Sequence, residues 1–135
     1  MGLTNATLIL KNPRKPELQA MEVQALADTG SNFLCIPSHV QCQLQLEEIE
    51  KREVVIADGS RKSVPYVGPV QLHFKNRTGF FGAIVLGDQV LLGAVPMEDM
   101  DLVVIPSTRT VDVNPANPNM ACGIVKTHFV VKPTA

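Results

Sequence analysis

ALADTGSNFLCIPS, residues 25–38, places an acid between two apolar runs. Ala25, Leu26 and Ala27 lead into Asp28, and Phe33, Leu34, Cys35 and Ile36 follow it. A lone carboxylate in a largely apolar setting is costly. Gly30 lets the backbone turn sharply and bring its own N–H toward the acid. Thr29 and Ser31 add hydroxyls for hydrogen bonds. The four residues therefore read as a small cradle that orients one carboxylate. The plainer reading is a tight turn between two strands, with Asp28 capping its own loop. The tripeptide alone does not separate the two, so the rest of the chain has to.

Outward from this stretch the hydrophobic period is mostly two. ATLILK reads as a strand, NPRKPE as a turn set by two prolines, and LQAMEVQALA as a second strand returning beside the first. LCIP is a strand and SHVQCQLQ suits a short helical turn. REVVIADGSRKSVPYVGPVQLHF reads as two strands around Asp58-Gly59, a hairpin signal. GFFGAIVLG and QVLLG are further apolar strands. AVPMEDMD predicts a helix, with Pro96 in its first turn and Glu98 and Asp99 favouring its N-terminus. LVVIP and TVDVNP return to strand, NPANPN breaks the chain, and ACGIVKTHFVV is a final strand candidate. The expected fold is all-β: a small closed barrel with one short helix after Gly93.

Composition bounds the function. The chain has 135 residues, 45% apolar and 19% charged, which suits one domain with a real core. A net charge of −1 supplies no basic field for nucleic acid or an anionic membrane. Cys35, Cys42 and Cys122 are odd in number, and two lie in apolar runs. They read as buried thiols and not as a disulfide framework. The start lacks the basic stretch of a signal peptide, and Ala6 stands where a myristoylation signal needs Ser or Thr. The tract GAIVLGDQVLLGAVPM is cut by Asp88 and Gln89 and cannot span a bilayer as a helix. The expectation is a soluble, cytoplasmic domain.

DTGSNFLCIPS resembles the active-site stretch of pepsin-like and retroviral-type aspartic proteases. Leu34, Ile36, Pro37 and Ser38 keep the pattern that follows Asp-Thr-Gly-Ser in pepsins, with Cys35 in the aromatic slot. VLLGA at residues 90–94 is similar to the family's late hydrophobic-hydrophobic-Gly element, which also precedes a short helix. VVIADGSRKSVPYV lies between them, where the family has its flap hairpin. The resemblance covers roughly residues 5–108 and leaves a C-terminal extension from about 109 to 135. It implies a retropepsin-like domain with Asp28 as catalytic acid and Thr29, Gly30 and Ser31 supporting its loop. It further implies Ala57, Asp58, Gly59 and Ser60 at the flap and Gly93 in a structural place. Thr29 would lock two loops across a dimer axis. The chain holds one Asp-Thr-Gly, so the resemblance implies a homodimer with two copies of Asp28 face to face. A carboxylate pair sharing one proton would activate water against a peptide or protein substrate, with no metal and no cofactor.

Four departures from the retroviral pattern stand out. Ser31-Asn32 replaces Ala-Asp. Ala94 replaces an Arg, which removes a dimer-stabilising ion pair. The flap carries one glycine, Gly59, and the chain runs on well past Thr108. These favour a cellular or bacterial relative over a viral enzyme. Elsewhere the plain readings prevail. His39, His73 and His128 lack metal-ligand spacing. NAT and NRT match the glycosylation acceptor pattern but read as turns, and EEIEKRE reads as a solvated edge. Cys35 has no partner histidine and reads as packing, not as a nucleophile. The rival function is a non-enzymatic β domain of the same fold that binds peptides or oligomerises.

Overall fold

The computed structural model describes residues 3–126. Strand β1 (Asn5–Lys11) alternates strictly, with Ala6, Leu8 and Leu10 inside. Strand β2 (Met21–Ala27) returns antiparallel beside it, from Leu10 opposite Met21 to Asn5 opposite Leu26. The proline-rich turn between them is tied down by buried Asn12. Its side-chain amide donates to the Leu44 and Gln45 carbonyls at 2.9 and 3.2 Å. Those carbonyls lie just past the end of helix α1 (Ser38–Gln43), which follows the short strand β3 (Leu34–Ile36).

Strands β4 (Glu47–Val55) and β5 (Arg61–Phe74) form a long hairpin, and β6 (Arg77–Val85) runs back along β5. The short strand β7 (Val90–Leu92) lies parallel to β2 and antiparallel to β3, and β3 is parallel to β6. The far half of β5 also pairs with β1, Ile9 opposite His73. That pairing closes a six-strand barrel, β1-β2-β7-β3-β6-β5. Leu8, Leu10, Ala25, Leu34, Leu72 and Leu92 are among the residues that fill it. Helix α2 (Ala94–Asp99) follows Gly93, and a hairpin of β8 (Leu102–Ile105) and β9 (Thr110–Val113) hangs from β1 at Asn5.

The all-β barrel and its helix after Gly93 match the sequence expectation, and the helical turn at residue 38 is present as α1. Several local readings are corrected. Helix α2 starts at Ala94, so Pro96 does lie in its first turn, but Glu98 and Asp99 fall at its end, away from the positive pole of the dipole. Cys42 and Cys122 are exposed; only Cys35 is buried. Cys42 rides on the outer face of α1, which a count of apolar neighbours does not reveal. The NAT sequence lies within β1 and is no turn. Residues 121–126 of the last strand candidate are not strand, and the remainder of it lies outside the described residues, as does His128. No helix among the described residues is long and apolar enough to cross a membrane.

Candidate active site

The Asp28 loop links β2 to β3. Its start is pinned by the barrel: the Ala27 N–H donates to the Thr4 carbonyl and the Asp28 N–H to the Leu92 carbonyl, both at 2.9 Å. Each oxygen of the Asp28 carboxylate then has its own donor. The Gly30 N–H donates to Oδ1 at 3.0 Å, and the Ser31 hydroxyl to Oδ2 at 2.9 Å. A Cβ on residue 30 would sit 3.2 Å from Oδ1, tighter than ordinary contact, so glycine suits this close approach.

Gly93 lies directly under the loop. A Cβ there would strike the Phe33 carbonyl and come within 2.7 Å of the Asn32 carbonyl carbon. The next two residues lock the loop from below: Ala94 N–H donates to the Ser31 carbonyl at 2.7 Å and Val95 N–H to the Asn32 carbonyl at 3.0 Å. The loop therefore rests on backbone, not on mobile side chains.

The sequence led to an apolar setting for Asp28. Asp28, Thr29 and Gly30 are instead exposed in the single chain. The apolar runs on either side become β2 and β3 and turn into the core, while the loop itself emerges from the barrel. Beside it opens a groove of about 430 Å³. Gly30, Ser31 and Phe33 form one wall, Val54 and Ala57 of the hairpin the other, and Cys35 lies on the floor. At the hairpin turn, Asp58 Oδ1 accepts from the Ser60 N–H at 2.8 Å and the Ser60 hydroxyl at 2.6 Å. The hydroxyl first, then the backbone N–H, holds the Asp58 carboxyl below the ordinary carboxylate value. Gly59 adopts φ of +85°, a conformation that favours glycine. Ala57 lines the groove; Asp58, Gly59 and Ser60 sit at the tip beyond its lining.

Two solved structures share this fold. The retroviral protease-like domain of Ddi1 from Leishmania major superposes with a TM-score of 0.54 at 8% identity, over 84% of this chain and 91% of that one. EIAV protease, in complex with the inhibitor HBY-793, gives 0.52 at 14% identity, over 73% of this chain and 88% of that one. The fold is retropepsin-like. No family model and no curated protein matches the sequence, so the likeness is one of fold.

On the retropepsin-like barrel the residues read from sequence fall into two groups. Asp28, Gly30, Ser31 and Gly93 meet at one corner, and Ala57 lines the same groove as Gly30 and Ser31. Thr29 is exposed on the loop's outer turn. Burial, aided by the nearby Asp28 charge, pushes the Cys35 thiol up, which keeps it protonated. His73 is engaged on the barrel surface, with Nδ1 2.9 Å from the Thr78 hydroxyl and Nε2 3.0 Å from the Gln71 amide. Among the described residues no cluster of three His, Cys, Asp or Glu could hold a metal ion. Sequence reading missed the groove lining supplied by Phe33, Val54, Ile84 and Leu91. Their only signal was apolar alternation, which marks any core position.

Proposed function

We propose that the chain is an aspartic endopeptidase acting as a homodimer, with one Asp28 from each subunit. The observation that carries this reading is the carboxylate itself. Both its oxygens are oriented by donors of its own loop, yet it stays open at the surface beside a groove. Capping the loop accounts for those two bonds but not for an oriented carboxylate at the surface beside a groove, with no ion-pair partner among the described residues. Two such loops meeting at a two-fold axis would bring the carboxylates about 3 Å apart, where they share one proton. The ionised partner takes a proton from a water held between them. That water attacks the scissile carbonyl, while the protonated partner donates a hydrogen bond to the carbonyl oxygen. The first carboxyl then passes the proton it took from the water to the amide nitrogen, the carbon–nitrogen bond breaks as the tetrahedral oxyanion collapses to a carboxylic acid, and the pair keeps its one shared proton. Thr29, exposed at the turn of the loop, would meet its counterpart across the axis. The peptide lies extended in the groove, and the β4–β5 hairpin closes over it and excludes water.

The test is peptide cleavage measured beside sedimentation, at about pH 4–6, where shared-proton carboxylate pairs work. Specific activity should rise with protein concentration as dimer forms. Asp28→Asn should abolish cleavage and leave the fold intact, since an amide supplies no base. Retained activity in that variant refutes the assignment of Asp28. Constant specific activity from a protein that sediments as a monomer refutes the dimer.

A further inference from the structure

Beside the barrel core lies a second, smaller apolar cluster. Cys35, Val64 and Ile84 are its buried centre, and Phe33, Val54 and Tyr66 are among the side chains packed around them. At its edge, under β4, sits a charge. The Arg52 guanidinium lies 3.6 Å from the centre of the Tyr66 ring and 5.6 Å from that of Phe33. Its Nε donates to Glu50 Oε2 at 3.0 Å. Tyr66 in turn covers Gly82 of β6; a Cβ there would come within 2.5 Å of the ring carbon Cε1. Three strands are thus bound by one stack, from Gly82 through Tyr66 to Arg52 and Glu50.

The ladder register explains the stack. Tyr66 stands opposite Glu50 and Arg52 opposite Val64, so Arg52 and Tyr66 are diagonal neighbours on one face of the hairpin. Arginine suits the place because its planar group stacks on a ring where an ammonium cannot. The Arg52 side chain is only 35% exposed, which strengthens attraction to the ring face. Phe33 is the ring that matters for the site. It forms part of the groove wall and belongs to the segment carrying Asp28.

We propose that Arg52 is a positioning residue that clamps the β4 arm of the hairpin over the groove, with Tyr66 as its seat and Phe33 as its link to the Asp28 loop. The proposal rests on the groove being the substrate site. A ligand side chain that packs on Phe33 then touches the ring that the clamp also touches, so filling the groove and closing the hairpin favour each other.

Hydrogen exchange of the hairpin amides tests this without any need for activity. Arg52→Met keeps the length of the stem and removes the cation. Amides from Val54 to Ser63 should then exchange about tenfold faster, the scale of a partly desolvated cation–π contact. Amides of β1 and β2 should be unchanged. Arg52→Lys should fall between the two, because it restores charge without the plane. Tyr66 is the single tyrosine and there is no tryptophan, so tyrosine emission reports the stack alone and should change in Arg52→Met. In cleavage assays the same variant should raise KM about five- to tenfold and leave kcat within about twofold, the mark of lost binding geometry. Hairpin exchange within about twofold of the parent, or equal acceleration in the barrel, overturns the clamp. A parent that cleaves nothing tells against the endopeptidase reading, and the exchange result still decides the clamp.

Discussion

Gly93→Ala adds one methyl group, and the structure says where it goes. Gly93 has φ of −83° and ψ of −178°, an ordinary backbone that any residue adopts. The requirement is therefore space alone. The new carbon would strike the Phe33 carbonyl and approach the Asn32 carbonyl carbon and oxygen to 2.7 and 2.8 Å. All three are backbone atoms and cannot swing away as a side chain would. Relief means lifting the Asp28 loop off Ala94 and Val95. Overpacking of this kind costs about 1–3 kcal/mol. Each of the two hydrogen bonds beneath the loop contributes a further ~1 kcal/mol. The loss is then about 3–5 kcal/mol, a large share of the roughly 5–15 kcal/mol that holds a domain together. Melting should drop by roughly 10–20 °C for a chain of this size. Gly123→Ala is the control: a Cβ there has nothing within 4 Å and should change stability by less than about 0.5 kcal/mol. A Gly93→Ala protein that melts within about 2 °C of the parent would refute the claim that the loop rests on this glycine.

Three further outcomes follow from named contacts. Ser31→Ala removes the donor to Asp28 Oδ2, and kcat/KM should fall about tenfold with the melting temperature unmoved; cleavage equal to the parent's would show the hydroxyl to be dispensable. The Asn114 side-chain amide, then the Cys122 N–H, with Asn117 and Arg77 in support, hold the Asp101 carboxyl below its ordinary 3.8. A depressed native value means that this stabilisation is present above pH 3.8 and is lost as the pH falls through the lower native value. The parent should therefore lose melting temperature more steeply below that pH than Asp101→Asn does, and parallel curves would dismiss the effect. Iodoacetamide applied to the native protein should label Cys42 and Cys122 and spare Cys35, which mass spectrometry reads directly; early labelling of Cys35 would mean an open floor to the groove.

Much of this molecule is legible in its sequence because short strands announce themselves. Period-two runs such as ATLILK and the turn at Asp58-Gly59 depend on neighbours close in the chain. Gly93 is legible for a different reason: a glycine after two leucines and before a proline-bearing helix implies that something passes close by. What stayed hidden depends on partners far along the chain. Arg77 gives no hint that it will be 2% exposed, because its hydrogen bond goes to the Asn117 carbonyl forty residues on. Arg52 sits in a run of charges that reads as solvated surface, and most of that run is; only the register with β5 puts this one member over a ring. The exposure of Asp28 is hidden because the apolar residues on either side of it pass into β2 and β3 and leave the loop between them outside. That of Cys42 is hidden because a six-residue helix has an outside that local composition cannot assign.

The smaller apolar cluster has a thermodynamic consequence. The barrel core is sealed by its own strands, but over buried Cys35 and Ile84 the smaller cluster has an outer shell, Phe33, Val54, Leu86 and Leu91, that is only partly buried and lines the groove. That shell is unfinished, and a bound peptide would cover it. Apolar side chains entering it leave water against residues that already exclude it, so association behaves like the last step of folding. Binding of an uncleaved peptide analogue should then carry a negative heat-capacity change that grows with the apolar area of its side chains. On the proposed function, a peptide that covers those side chains stabilises the folded chain, and the rise in melting temperature would rank what the groove accepts.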